Sequence, residues 1–235
     1  MSTPTPVAQV IGASKSYQTG DQTITALHPT DFKLYPGELT LIVGPSGSGK
    51  TTLLSLLGCV IYPTQGEVVV TGRAISRLKK RELAKVRLRN IGFVFQSFNL
   101  IQPFTAEENV MLPLRLMGLP ESEVRSRAHE AMETVGMLDR RRQLPKQLSG
   151  GQQQRIAIAR ALVTKPVLML CDEPTAALDP RSISVVMEEL KELTEQGMAL
   201  AVVTHDMRLR SYADRIIYVN EGHVSDTPFE DDLLH

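Results

Sequence analysis

Leu39-Thr40-Leu41-Ile42-Val43-Gly44-Pro45-Ser46-Gly47-Ser48-Gly49-Lys50-Thr51-Thr52-Leu53-Leu54 passes from a short apolar run, through three glycines, into a segment with helical character. Residues Gly44 to Thr51 match the phosphate-loop pattern completely, and the strand before and helix after are the context that pattern requires. The glycines let the backbone curl so that successive N–H groups point at phosphate oxygens, and the helix N-terminus adds the positive end of its dipole. In such a loop Lys50 reaches the β- and γ-phosphates and the Thr51 hydroxyl ligates Mg²⁺. Gly44, Pro45, Ser46, Gly47, Ser48, Gly49 and Thr52 complete the candidate nucleotide-binding set.

Working outward from this loop, the N-terminal part reads as β-rich. Val7 to Tyr17, Thr23 to Leu27 and Asp31 to Tyr35 are expected strands, broken by turn signals at Gly20-Asp21 and Pro36-Gly37. Val68 to Val70 and Ile91 to Phe95 read as further strands. From Glu107 to about Val163 the pattern turns helical, with Glu-, Arg- and Ala-rich stretches such as Glu121 to Val135. Two buried-strand runs follow, Val167 to Cys171 and Ala199 to Thr204, with a helix around Ser182 to Gln196 between them. Strands alternating with helices imply an α/β fold whose largely parallel sheet is covered on both faces. The helical middle, about 97–165, reads as an insertion into one domain spanning 1–235.

Composition narrows the function classes. The 235 residues suffice for one domain with a substantial core, and 42% hydrophobic with 22% charged residues is ordinary for a globular chain. Lys plus Arg equals Asp plus Glu at 26 each, which lowers the expectation of a nucleic-acid partner. Cys59 and Cys171 each sit in an apolar run and are expected to be buried thiols in a reducing compartment, with no metal-ligand spacing. Met1 to Pro6 has no secretion-signal character, and no stretch approaches the roughly 18 apolar residues that span a bilayer. Any membrane role is therefore expected to need a partner.

Two further segments carry chemistry. Val167-Leu168-Met169-Leu170-Cys171-Asp172-Glu173 is an apolar strand ending in two carboxylates. Asp172 is placed to hold the Mg²⁺ shell, and Glu173 to polarise a water for in-line attack on the γ-phosphate. Any buried strand must end somewhere, so this pair gains its meaning from the phosphate loop. Leu148-Ser149-Gly150-Gly151-Gln152-Gln153-Gln154-Arg155 reads as a capped helix start, with Ser149 as N-cap and two glycines leaving backbone N–H groups open. It is either an ordinary cap or a second anion nest in a chain with one phosphate loop.

The order of phosphate loop, Leu-Ser-Gly-Gly-Gln signature and Asp-Glu strand end resembles the nucleotide-binding domain of ATP-binding-cassette (ABC) transporters over nearly the whole chain. The resemblance implies a P-loop NTPase fold with a RecA-like core sheet, an N-terminal antiparallel β subdomain and an inserted helical subdomain. It implies ATP and Mg²⁺ as cofactors and ATP hydrolysis as the activity. Gln96 resembles the glutamine that contacts Mg²⁺ and the attacking water, Ala177-Leu178-Asp179 the loop that carries Asp179, and His205 the switch histidine at the γ-phosphate. Tyr17 resembles the aromatic that stacks on adenine. Alone, Tyr17 is as readily a packing residue of a hairpin and His205 a surface or capping residue. In this family two cassettes face head to tail, and Ser149, Gly150, Gly151 and Gln152 of one cap the ATP held by the other. The resemblance implies a homodimer or a pair of different cassettes, attached to a separate transmembrane subunit at the cytoplasmic face.

Val94 to Ile101 followed by Thr105-Ala106-Glu107-Glu108-Asn109-Val110 is similar to the lipoprotein-releasing and macrolide-exporting group. That group pairs the cassette with a four-helix membrane subunit carrying a large extracytoplasmic domain. Phe98, Leu100, Ile101 and Phe104 either line the groove for that subunit or fill the helical core. Gly58-Cys59-Val60-Ile61-Tyr62-Pro63 departs from the Gly-Gly-Leu-Asp-like run usual there, which leaves the cargo open. A regulatory cassette signalling through a membrane protein would show the same residues. Soluble cassettes of DNA repair carry a long coiled-coil insertion and those of translation two cassettes per chain, and neither pattern is present.

Overall fold

The computed structural model describes residues 4–176 and 178–229. Residues 1–3, Ala177 of the Ala177-Leu178-Asp179 run, and 230–235 of the acidic C-terminal stretch lie outside the described residues. The chain begins with a hairpin, β1 (Ala8–Thr19) and β2 (Gln22–Leu34), then enters β3 (Leu39–Val43) and α1 (Lys50–Leu57). β4 (Gln65–Val70), β5 (Arg73–Ala74), α2 (Lys80–Asn90) and β6 (Ile91–Val94) follow. The helical section holds α3 (Ala106–Leu116), α4 (Glu121–Thr134) and α5 (Gly150–Leu162). The chain returns through β7 (Leu168–Asp172), α6 (Pro180–Glu195), β8 (Ala199–Thr204), β9 (Arg215–Asn220) and β10 (His223–Ser225).

These strands make two sheets. One is antiparallel in the order β2-β1-β4-β5; the other runs β10-β9-β3-β8-β7-β6, parallel except for the edge strand β10. Every residue of β3 and of β8 is buried, as expected for parallel strands covered on both faces. The pleat divides each strand between two cores. Leu39, Leu41 and Val43 of β3 pack with Met169, Cys171, Leu200 and Val202 against α3, α4, α5 and α6. Ile42 packs with Leu168, Leu170, Ala201 and Val203 against α1 and the antiparallel sheet. Each fully buried leucine contributes about 1.5–3 kcal/mol of transfer free energy. The central sheet is therefore held from both sides and positions its strand ends rigidly.

Several elements differ from the sequence expectation. The two separate strands expected at Thr23 to Leu27 and Asp31 to Tyr35 are one strand, β2, which keeps pairing with β1 through register shifts between Val10 and Ser16. A bulged ladder tolerates Pro29 there without ending. Helix α2 and strands β5, β9 and β10 lie outside the sequence expectation. The helical region is three packed helices with loops between them, and α3 starts on a Thr105–Glu108 capping box, with Glu108 N–H donating to Thr105 Oγ1 at 3.2 Å.

Candidate functional site

In the parallel sheet β3, β8, β7 and β6 are consecutive neighbours, so their carboxyl ends open on one edge, where open α/β sheets bind ligands. β3 leads into the phosphate loop, β7 ends at Asp172, β8 ends at Thr204 before His205, and β6 ends two residues before Gln96. One cleft of about 460 Å³ is lined by Ser46, Gly47, Lys50, Thr51, Gln96, Asp172, Glu173, Val203 and His205. Four separate stretches of sequence thus meet because the strand order makes them adjacent.

The loop's shape is forced by what surrounds it. Gly44 has φ +155°, and a Cβ there would lie 1.9 Å from the Val219 carbonyl oxygen of β9. Gly49, φ +111°, would place a Cβ 2.5 Å from the Ala26 carbonyl oxygen of β2. The loop is wedged between strands of both sheets, and Gly222 N–H donates to the Ser48 carbonyl at 2.8 Å from the β9–β10 turn. Lys50 Nζ donates to the carbonyls of Gly44 at 2.8 Å and Pro45 at 2.7 Å. The Thr51 hydroxyl stands 3.5 Å from Asp172 Oδ2, and Thr52 is half-buried on α1, outside the lining. Ser48 is buried and its hydroxyl has no partner among the described residues.

The acidic end of β7 is asymmetric. Glu173 takes the left-handed backbone region, φ 49°, while its N–H continues the ladder to the Val203 carbonyl at 2.9 Å. That turn aims its carboxylate across to β8, where Oε1 contacts His205 Nδ1 at 2.8 Å and Oε2 accepts from the Thr204 hydroxyl at 3.3 Å. Asp172 stays with Thr51. Burial pushes the Asp172 carboxyl up, the Glu173 charge adds to that, and the Thr51 hydroxyl and Lys50 oppose it. Burial pushes the Lys50 ammonium down, offset in part by Glu173 and Asp172. A polyphosphate would restore favour to the Lys50 cation, and a bound cation would do the same for the Asp172 carboxylate.

Other expected site residues lie elsewhere. Ser149 Oγ accepts from Gln152 N–H at 3.3 Å and Ser149 N–H donates to Gln152 Oε1 at 2.9 Å, a reciprocal cap on α5. Gly151 lies against Ser182 and Leu178. Asp179 Oδ1 accepts from the Ser182 N–H at 3.1 Å and Oδ2 from its hydroxyl at 2.6 Å. None of Ser149, Gly150, Gly151, Gln152 and Asp179 lines the phosphate-loop cleft of its own chain. Tyr17 on β1 is 42% exposed opposite Ile24, itself 53% exposed, two residues before the Ala26 carbonyl that touches the loop. Lys15 Nζ sits 5.1 Å from the Tyr17 ring centre.

The apolar run after Gln96 divides. Leu100 is buried and Phe98 packs on the helical core, while Phe104 is half-buried and Ile101 exposed. A groove of about 610 Å³ between α2, β6, α3 and the end of α5 has Leu88, Phe93, Phe95, Pro113 and Leu116 as its apolar lining, with Asn99 and Arg160 also on its wall. Both cysteines are buried and free, the Cys59 thiol pushed up to about 11 mainly by burial. Sequence reasoning missed Thr204, Val203 and Val219. Thr204 stands beside an expected residue, whereas the role of Val219 as a wall behind Gly44 has no sequence signal.

Residues 27–176 match the ABC transporter family. An uncharacterised ABC transporter ATP-binding protein of Thermotoga maritima is 45% identical over 93% of each chain. The macrolide export ATP-binding/permease protein MacB 2 of Aeromonas hydrophila is 43% identical over 94% of this chain, which spans 34% of that longer protein. The dimeric, post-hydrolysis structure of the cassette MJ0796 bound to ADP and Pi matches with a TM-score of 0.86 and 41% identity, over 94% of this chain and 100% of that one. With the phosphate loop, the two acids and the signature on one such fold, the chain belongs to the ABC transporter family, as an ATP-binding and ATP-hydrolysing cassette subunit.

Proposed function

We propose that this cassette hydrolyses ATP between two copies of itself and drives an export-type membrane subunit of the macrolide-exporting group. The observation that carries it is the convergence of Lys50, Asp172, Glu173, His205 and Gln96 on one cleft, together with the MacB similarity over this chain.

In this reading the loop Gly44 to Thr51 wraps the phosphates with its N–H groups, Lys50 neutralises the β- and γ-phosphates, and Tyr17 stacks on adenine. Thr51, Asp172 and Gln96 offer hydroxyl, carboxylate and amide oxygens, the hard donors that suit Mg²⁺. Among the described residues no cluster of His, Cys, Asp and Glu would hold a metal alone. Mg²⁺, when bound, offsets charge on the phosphate oxygens. Glu173 takes a proton from the attacking water as the water oxygen bonds to the γ-phosphorus, and the bond to the ADP oxygen breaks in line. His205 holds the Glu173 carboxylate and faces the γ-phosphate.

The signature and Asp179 act on the ATP held by a second cassette, which gives their position outside the cleft a use. The domain is one unit, with residues 97–165 as the helical section that meets the membrane subunit. Among the described residues no helix is long and apolar enough to cross a membrane. We place the cassette at the cytoplasmic face, with the partner seated in the groove where Leu116 is 67% exposed.

The test is a pull-down from membranes with Glu173→Gln in ATP and Mg²⁺, after showing that this variant binds ATP but hydrolyses it at least about a hundredfold more slowly. A four-helix partner with a large extracytoplasmic domain supports the export-type assignment. A many-helix permease, or no membrane partner, overturns it, and full hydrolysis removes Glu173 as the base.

A further inference from the structure

Arg160 stands on the last turn of α5, the helix whose first turn is the signature. Its Nη1 donates to the Asn99 carbonyl at 2.6 Å and its Nη2 to the Phe98 carbonyl at 2.8 Å. Burial pushes the guanidinium below its ordinary value, and no carboxylate opposes this. A half-buried cation that spends its hydrogen bonds on two loop carbonyls is serving the loop.

The loop needs that service. Phe98 and Asn99 have φ 58° and 48°, two successive left-handed residues with side chains. Such a pair persists only where its surroundings over-determine it. Within the loop Phe98 N–H donates to the Phe95 carbonyl at 3.0 Å and Asn99 N–H to the Ser97 carbonyl at 2.6 Å. The flat guanidinium fork matches the two outward carbonyls, as a single ammonium cannot. Gln96, two residues before Phe98, lines the nucleotide cleft.

We propose that Arg160 is a positioning residue that straps residues 96–99 to the end of α5, so that movement of the signature helix displaces Gln96 in the nucleotide cleft. The proposal rests on the role given to Gln96 above. Arg160 does not line the nucleotide cleft; it acts through the loop.

The experiment compares ATP hydrolysis by the full chain with Arg160→Lys, Gln96→Ala and the double variant, alongside ATP KM and thermal midpoint. The strap predicts a kcat about tenfold lower for Arg160→Lys with KM within about twofold. It also predicts a double variant no slower than Gln96→Ala alone. A normal kcat for Arg160→Lys, a loss that multiplies with that of Gln96→Ala, or an unfolded Arg160→Lys overturns it. A wild-type rate for Gln96→Ala fails the Gln96 assignment itself. That result is distinct from failure of the strap, in which Gln96→Ala is slow and Arg160→Lys is normal or multiplicative.

Discussion

At the residue scale, the site is a set of conformations that only some residues can hold. Gly44 has φ +155° with the Val219 carbonyl oxygen 1.9 Å from where a Cβ would stand, and Ser48 Oγ 2.9 Å from it. The obstacle is strand backbone, which cannot step aside as a side chain can. Gly44→Ala is therefore expected to destabilise the protein by about 2 kcal/mol, the scale of overpacking a tight site. That lowers the thermal midpoint by roughly 4–8 °C. It should also remove most of the midpoint rise that ATP produces, because the loop N–H groups turn away from the phosphates. Melts with and without ATP check both, and a normal ATP shift would show that the loop does not depend on this contact. Glu173 is the converse case, a side chain in the left-handed region, φ 49°, where strain of about 1–2 kcal/mol is held by the sheet and by Thr204 and His205.

At the element scale, caps and strand ends decide where motifs come to rest. Asp214, just before β9, accepts from the Leu39 N–H at 2.8 Å and from Lys191 Nζ of α6 at 2.5 Å, joining β3, α6 and β9 at the edge opposite the nucleotide cleft. Burial tends to raise its carboxyl, but Lys191 and the Leu39 amide outweigh that and hold it below the ordinary aspartate value. A depressed folded value means the stabilisation is present above the unfolded pKa and is lost as pH falls through the folded one. Asp214→Asn should then destabilise by about 1 kcal/mol at pH 7, after allowance for solvent screening of a half-exposed pair. The deficit should fade as the pH drops below the ordinary aspartate range. A deficit that stays constant from pH 7 into acid, measured by denaturant titration, would assign the effect to shape instead.

Elements also set the limit of what the sequence discloses. The phosphate loop, the signature cap and the acidic strand end are each contiguous, so local chemistry makes them readable. The strands β3, β7 and β8 are readable because burial on both faces leaves unbroken apolar runs. Helix α2 buries only Leu83 and Val86 among its charged residues, so its period is too thin to see. The break expected inside β2 failed because a bulge absorbs His28-Pro29 while the pairing continues. The carbonyl of Val219 behind Gly44, and the reach of Arg160 to Phe98 and Asn99, depend on contacts between distant segments and have no local signature.

At the scale of the whole molecule, the cassette carries two glycine-rich helix starts that do not meet. The phosphate loop opens into α1 and the signature forms the start of α5, and only the first lines the nucleotide cleft. A single chain thus leaves the signature with no phosphate to bind, whereas two chains placed head to tail would give each cleft a second wall. Glu173→Gln, slowed in hydrolysis, should double in mass on ATP, as read by size exclusion with light scattering. Adding Ser149→Arg should return it to a monomer, since an exposed signature residue becomes a bulky cation at the contact. The lost cap takes about 1 kcal/mol from α5, too little to unfold the chain. ATP affinity of that monomer should remain within about twofold of the Glu173→Gln monomer measured below its dimerisation concentration, because no signature atom lines its own cleft. A dimer that survives Ser149→Arg would take the signature out of the interface. A monomer that loses ATP would put the signature and the phosphate loop of one chain on the same nucleotide, against the separation that the sheet and α5 impose.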